Sequence, residues 1–209
     1  EQENARISIS KSFSNMLNRA HPSELDSTVY IVTQGNSSTV THALRAAFLA
    51  MSDDKRQSVR ILCFPLSEDR GNLEARRVLH GLGSARDASN IKLSSAILKV
   101  TSFFSLIKAS DSIYLVIGTE GFDRDYRFVH PEGLGKFHQE LRGKCKAYHA
   151  NYEAVVLAEE YKHFPTRWED LPANGGHIDS RVEYFSLADH HADLLITNSR
   201  VKSLSGSGI

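Results

Sequence analysis

The stretch YIVTQGNSST, Tyr30 to Thr39, decides how the chain folds. Val29-Tyr30-Ile31-Val32 is a short apolar, β-branched run, the signature of a buried strand. It gives way to the polar loop Thr33-Gln34-Gly35-Asn36-Ser37-Ser38-Thr39. Beyond it, Val40, Ala43, Leu44, Ala47, Phe48 and Met51 share one face of a helix over 40–51. Strand, loop and helix make the first half of a βαβ unit, and a chain that repeats the unit builds a parallel sheet.

The unit does repeat. Downstream, strands are expected at 60–64, 90–93, 112–117, 154–158 and 194–197. Between them, helices are expected at 74–82, closed by Gly83, and at 97–107 and 135–142. Upstream, Ile9, Phe13, Met16, Leu17 and Ala20 fall at helical spacing, and His21-Pro22 ends that helix. The fold class expected is α/β, a Rossmann-like, doubly wound, mostly parallel sheet with a short N-terminal helical lead-in. Residues 1–25 form the lead-in, 26–202 the sheet domain and 203–209 a flexible Ser/Gly-rich tail. In such sheets ligands sit beyond the carboxyl ends of the strands. The loops after Val32, Phe64 and Ile117 are therefore expected to meet at one site.

Composition narrows the classes. Lys and Arg together number 25, and so do Asp and Glu, so no bulk field favours nucleic acid or a membrane surface. No apolar run approaches the ~18 residues of a membrane span. No secretory signal is visible; the chain begins at Glu1 rather than Met, which leaves open a longer protein with a targeting segment upstream. Cys63 and Cys145 are the only cysteines, and Cys63 falls inside a strand, which fits a reduced, cytoplasmic setting.

Each loop has a ligand reading and a plainer one. Gly35, Asn36, Ser37, Ser38 and Thr39 present hydroxyls and backbone N–H groups at a helix start, which suits a phosphate. The plainer reading is a helix N-cap by Ser37, Ser38 or Thr39 with no ligand at all. Asn36-Ser37-Ser38 also matches a glycosylation acceptor, though nothing else points to secretion. Arg70 and Arg76, beyond the second strand, can grip a phosphate bidentately or simply form a salt-bridged helix start. Glu120, beyond the third, can act as a general acid or base, or cap nearby N–H groups. His190-His191 with Asp193 lacks the spacing of a metal site, because neighbouring residues on a helix point in different directions. There is no Gly-x-Gly-x-x-Gly, P-loop, Gly-x-Ser-x-Gly or paired Cys-x-x-Cys, so neither a cofactor nor a metal is expected.

Taken together, these segments resemble the translation initiation factor 2B alpha, beta and delta subunits. That family has metabolic relatives, methylthioribose-1-phosphate isomerase and ribose-1,5-bisphosphate isomerase. The similar segments are Ile31–Val40, Glu68-Asp69-Arg70 with Glu74-Ala75-Arg76-Arg77, Ser94-Ser95-Ala96, Ile113–Gly121 and Leu157–Phe164. Val182–Phe185 and Asp193–Asn198 resemble the family's ending. The isomerase branch has a Cys in the first loop and an Asp in the third, where this chain has Gly35 and Glu120. Its Asn-Lys pair appears here as His130-Pro131. Gly35 supplies no thiol, so sugar-phosphate isomerisation is not expected.

The resemblance implies a non-catalytic regulatory or scaffold subunit. Its implied partners are a second copy in a homodimer, related factor 2B-type subunits and initiation factor 2. Neither membrane nor direct nucleic-acid binding is implied. A sugar phosphate or nucleotide in the ancestral pocket would touch Gly35, Asn36, Ser37, Ser38, Thr39, Arg70, Arg76, Glu120, His130 and Lys162. The alternative is a divergent sugar-phosphate enzyme using Glu120, with Lys162 or His130 as its partner.

Overall fold

A strand buried on both faces must be apolar along its length, and Ser112–Gly118 is such a strand, with every residue out of water. It sits inside a sheet whose architecture comes from a computed structural model describing residues 2–19, 27–34, 37–64, 103–119, 135–159 and 192–204. Within these residues the elements are α1 (Gln2–Arg19), β1 (Val29–Gln34), α2 (Ser38–Ala50), α3 (Asp53–Ser58) and β2 (Val59–Phe64). They continue with β3 (Ser112–Gly118), α4 (Lys136–Tyr148), β4 (Asn151–Ala158), β5 (Leu194–Thr197) and β6 (Val201–Ser203).

The six-stranded sheet has the order β2-β1-β3-β4-β5-β6. Every pairing is parallel except that of the edge strand β6, which runs antiparallel to β5. The order reverses between β1 and β3. From β1 the chain moves outward to β2 through α2, and from β3 it moves the opposite way to β4 through α4. Right-handed crossovers then require α2 and α4 to lie on opposite faces.

The core obeys that requirement. One face packs Ile31, Tyr114, Val116, Val155 and Leu157 against Ile9, Phe13 and Leu17 of α1 and Val40, Leu44 and Phe48 of α2. The other packs Val32, Ile113, Leu115, Val156 and Leu195 against Phe103, Ile107, and Leu141 and Cys145 of α4. The period-2 alternation of each strand supplies both cores at once. α1 is part of this core, because Ile9 and Phe13 are fully buried.

At the amino edge of the sheet a buried carboxylate gathers the chain. Asp111 Oδ1 accepts the Thr28 N–H at 2.9 Å and Oδ2 accepts the Lys108 N–H at 2.8 Å. Its backbone carbonyl takes the Asn151 N–H at 2.8 Å. Asp111 thereby ties together the entries to β1, β3 and β4. Two left-handed residues, Ser110 (φ 70°) and His149 (φ 57°), turn the chain into β3 and β4 beside it.

The expected strands 60–64, 112–117, 154–158 and 194–197, the upstream helix read from Ile9, Phe13, Met16 and Leu17, and the helices at 40–51 and 135–142 are all present within a few residues, α4 running further to Tyr148. Two elements carried no readable signal. α3 is DDKRQS, with no apolar stripe, and β6 is three exposed residues held by β5. β6 takes in Ser203, expected as the start of the tail, and the Leu204 N–H donates to Asp193 O at 2.7 Å. The expected helix at 74–82, the strand at 90–93 and residues 205–209 lie outside the described residues.

Two predictions test this core. Phe13→Ala removes a ring 0% exposed from α1 and is expected to cost about 3–5 kcal/mol in denaturant unfolding. A cost under about 1 kcal/mol would mean that α1 is not part of the cooperative core. The second concerns Glu153, which pairs in register with Tyr114 across the sheet. Burial, then the charge of Asp193, raises the Glu153 pKa above its ordinary 4.5, so the unfolded chain ionises first as pH rises. Stability is therefore full below about pH 4.5 and falls as pH climbs toward the raised value. Glu153→Gln is expected to raise Tm at pH 7, with the gain vanishing at pH 4 in parallel melts.

Candidate functional site

Parallel strands point their carboxyl ends at one edge of the sheet, and there β4 delivers Glu159. Its side chain is 0% exposed. Oε1 accepts from Arg6 Nε at 2.8 Å and from Thr39 Oγ1 at 2.7 Å. Arg6 also donates through a terminal guanidinium nitrogen to Ser38 Oγ at 3.0 Å. Elements far apart in the chain thus converge: the first turns of α1, the start of α2 and the end of β4.

Local sequence explains each placement. Ser37 caps α2 with extended backbone (φ −75°, ψ 117°), and its Oγ accepts the Val40 N–H at 3.3 Å. That cap aims Thr39 inward, where it is buried, and leaves Ser38 at the surface. α1 and α2 run parallel, since Arg6 meets Ser38 and Ser10 Oγ meets His42 Nδ1 at the same separation of 32 residues. The first turns of both helices therefore lie at the carboxyl edge, where their N-terminal dipoles favour a carboxylate.

Of the expected site residues, Ser37, Ser38 and Thr39 come together here. Ser37 is a helix cap, and Ser38 and Thr39 already hold protein partners. Gly35, Asn36, Arg70, Arg76, Glu120, His130 and Lys162 lie outside the described residues, as do His190 and His191. Asp193 is described: its Oδ1 takes Arg142 at 2.5 Å and its Oδ2 takes the Ala154 N–H at 2.8 Å. Among the described residues no group of His, Cys, Asp and Glu could hold a metal ion.

The chemistry available at this edge is modest. Glu159 Oε1 already accepts from a guanidinium and a hydroxyl, so it is engaged within the protein. Cys145 is buried under α4, and burial together with Asp111 pushes its thiol up to about 12, so it stays protonated and unreactive. Arg6 and Glu159 were not singled out from sequence. Glu159 left one trace, as a carboxylate placed directly behind the apolar run Ala154–Ala158. Arg6 left none, because nothing local says that α1 folds back onto the sheet.

No family model matches the chain, and no curated protein does. Solved structures do. The chain is similar to the eIF2B beta subunit from Chaetomium thermophilum, at 14% identity and a TM-score of 0.49, covering 96% of this chain and 53% of that one. It is also similar to a chain of the tetrameric eIF2B-beta2-delta2 complex from C. thermophilum, at 14% identity and a TM-score of 0.50, covering 98% of this chain and 58% of that one. The likeness is one of fold, and the chain spans little more than half the length of these structures. No helix among the described residues is long and apolar enough to cross a membrane.

A double-mutant cycle tests the Arg6–Glu159 contact. Arg6→Met strands a buried carboxylate and is expected to cost about 2 kcal/mol, below the range for a fully buried pair because Arg6 is 25% exposed. Adding Glu159→Gln should recover most of that loss, since a neutral amide tolerates burial better than a carboxylate that has lost its guanidinium. Strictly additive losses in urea unfolding would show that the two side chains do not interact.

Proposed function

We propose that the chain is a non-catalytic regulatory or scaffold module of the initiation factor 2B subunit type. In this reading it assembles with copies of itself or with related subunits, and initiation factor 2 is the larger partner that the sequence resemblance implies. The strand-end pocket holds a sugar phosphate or nucleotide without converting it. The observation that carries the reading is the occupied state of the carboxyl edge. Ser38 and Thr39, which the ligand would need, are bonded to Arg6 and Glu159 within the protein. An edge so tied serves to hold a shape. The loop sequence adds support, because Gly35 stands where the isomerases carry their thiol.

Assembly is supported by the fold, which is similar to that of a chain crystallised in a tetrameric beta2-delta2 complex. Ligand retention is supported by the sequence resemblance of the Gly35–Thr39 loop, and it requires a phosphate to take the place of the bond between Arg6 and Ser38.

The test combines mass in solution with thermal melting against phosphorylated sugars and nucleotides. A stable dimer or larger species is expected, together with a shift for at least one phosphorylated compound and no turnover of it. At 100 times its Kd a ligand stabilises by about 2.7 kcal/mol. Turnover that is lost in Glu120→Gln would replace this reading with an enzyme. A monomer at all concentrations would remove the scaffold role, and an unshifted melt across the panel would remove the ligand.

A further inference from the structure

The parallel pairing of α1 with α2 leaves a long furrow on their outer side. The 32-residue offset that matches Arg6 to Ser38 and Ser10 to His42 carries on to Ser14 beside Ala46 and Asn18 beside Ala50. The small side chains of Ala46 and Ala50 leave an open groove of about 390 Å³ between the helices. Ile7, at one end, is 52% exposed, and Leu49, on the exposed face of α2, is 47% exposed. From Ile7 to Asn18 the groove runs about 16 Å at 1.5 Å per residue, about three helical turns.

Among the described residues the charge around it is mainly positive. α1 carries Lys11 and Arg19 and α2 carries Arg45, all exposed, against Glu3 at the very start of α1. α2 has no acidic side chain. Lys55 of α3 reaches across to Asn18 Oδ1 at 3.4 Å and adds to the basic rim, with the exposed Asp54 beside it in sequence. A second copy presenting the same basic face would be repelled. The groove lining is mostly alanine methyls, hydroxyls and amides, with His42 its one ring.

We infer that this groove is a docking site for an acidic amphipathic helix of a partner protein. The partner's apolar stripe lies over Ala46, Ala50 and Ile7, and its flanking carboxylates meet Lys11 and Lys55. The site is separate from the strand-end pocket, so it stands or falls independently of the proposed function.

The test uses the full chain and fluorescence anisotropy. The probe is a labelled designed helical peptide of about 18 residues, with leucines at i, i+4 and i+7 flanked by glutamates. Controls are the same peptide with lysines replacing the glutamates, and a single-stranded RNA of similar charge. The acidic peptide is expected to bind in the micromolar range, more weakly as salt rises, while the lysine peptide does not bind. Lys11→Glu should weaken it by about fivefold. Ala46→Trp, which fills the groove, should weaken it by about tenfold or more. Ile7→Asp, at an exposed position that leaves the core intact, should do the same, so a folding failure in Ala46→Trp cannot decide the matter. No binding up to about 1 mM, binding unchanged in Ile7→Asp, or RNA binding more tightly than the peptide would each overturn the proposal.

Discussion

A carboxylate with no exposure to water can stay in a fold only if its charge is met, and Glu159 is met by Arg6 and Thr39. Much of the carboxyl edge follows from that requirement. Arg6 can reach Glu159 only if α1 lies across the sheet with its amino end at that edge, which makes α1 parallel to α2. Thr39 can reach it only if α2 starts where the Ser37 cap starts it. The same geometry sets both helix N-termini near the carboxylate, where the dipoles add to the attraction. The apolar contacts of Ile9, Phe13 and Leu17 supply most of the driving force for docking α1. The ion pair adds to them and can form only with α1 in this direction.

The opposite edge is held differently. Asp111 is as deeply buried as Glu159, but its described partners are backbone N–H groups near the entries to β1 and β3. Backbone donors belong to the folded path itself and are in place whenever the strands are. Side-chain donors such as Arg6 and Thr39 must be brought in from other elements. Both edges are tied by long-range contacts, 83 residues apart for Thr28 and Asp111 and 153 for Arg6 and Glu159, but the amino edge draws on backbone donors and the carboxyl edge on side chains. In open parallel sheets that is the edge where ligands bind.

This contrast bears on function. A catalytic edge needs a group free to take or give a proton, or a nucleophile. The described part of this edge offers hydroxyls and a carboxylate already committed to protein partners, and the buried Cys145 stays protonated under the far face. What it offers in quantity is shape: a sheet filled on both sides, and outer helix faces available to other molecules.

Sequence by itself determined the class of fold and most of its elements. The apolar runs of β1, β3 and β4 and the stripes of α1, α2 and α4 are local signals, written in the spacing of side chains that must leave water. It also narrowed the cap of α2 to Ser37, Ser38 or Thr39, since a cap needs only the next turn of helix, and the structure selects Ser37. It could not reveal α3 or β6, whose few polar residues hold their form through neighbours rather than periodicity. Nor could it reveal that Ser38 and Thr39 would be occupied. That was decided by tertiary structure, because an arginine near the start of the chain and a glutamate at the end of β4 meet only after the sheet has formed. The groove beside α1 has the same origin. Ala46 and Ala50 are ordinary helix formers in isolation, and become the floor of a surface feature only when a second helix lies parallel to them.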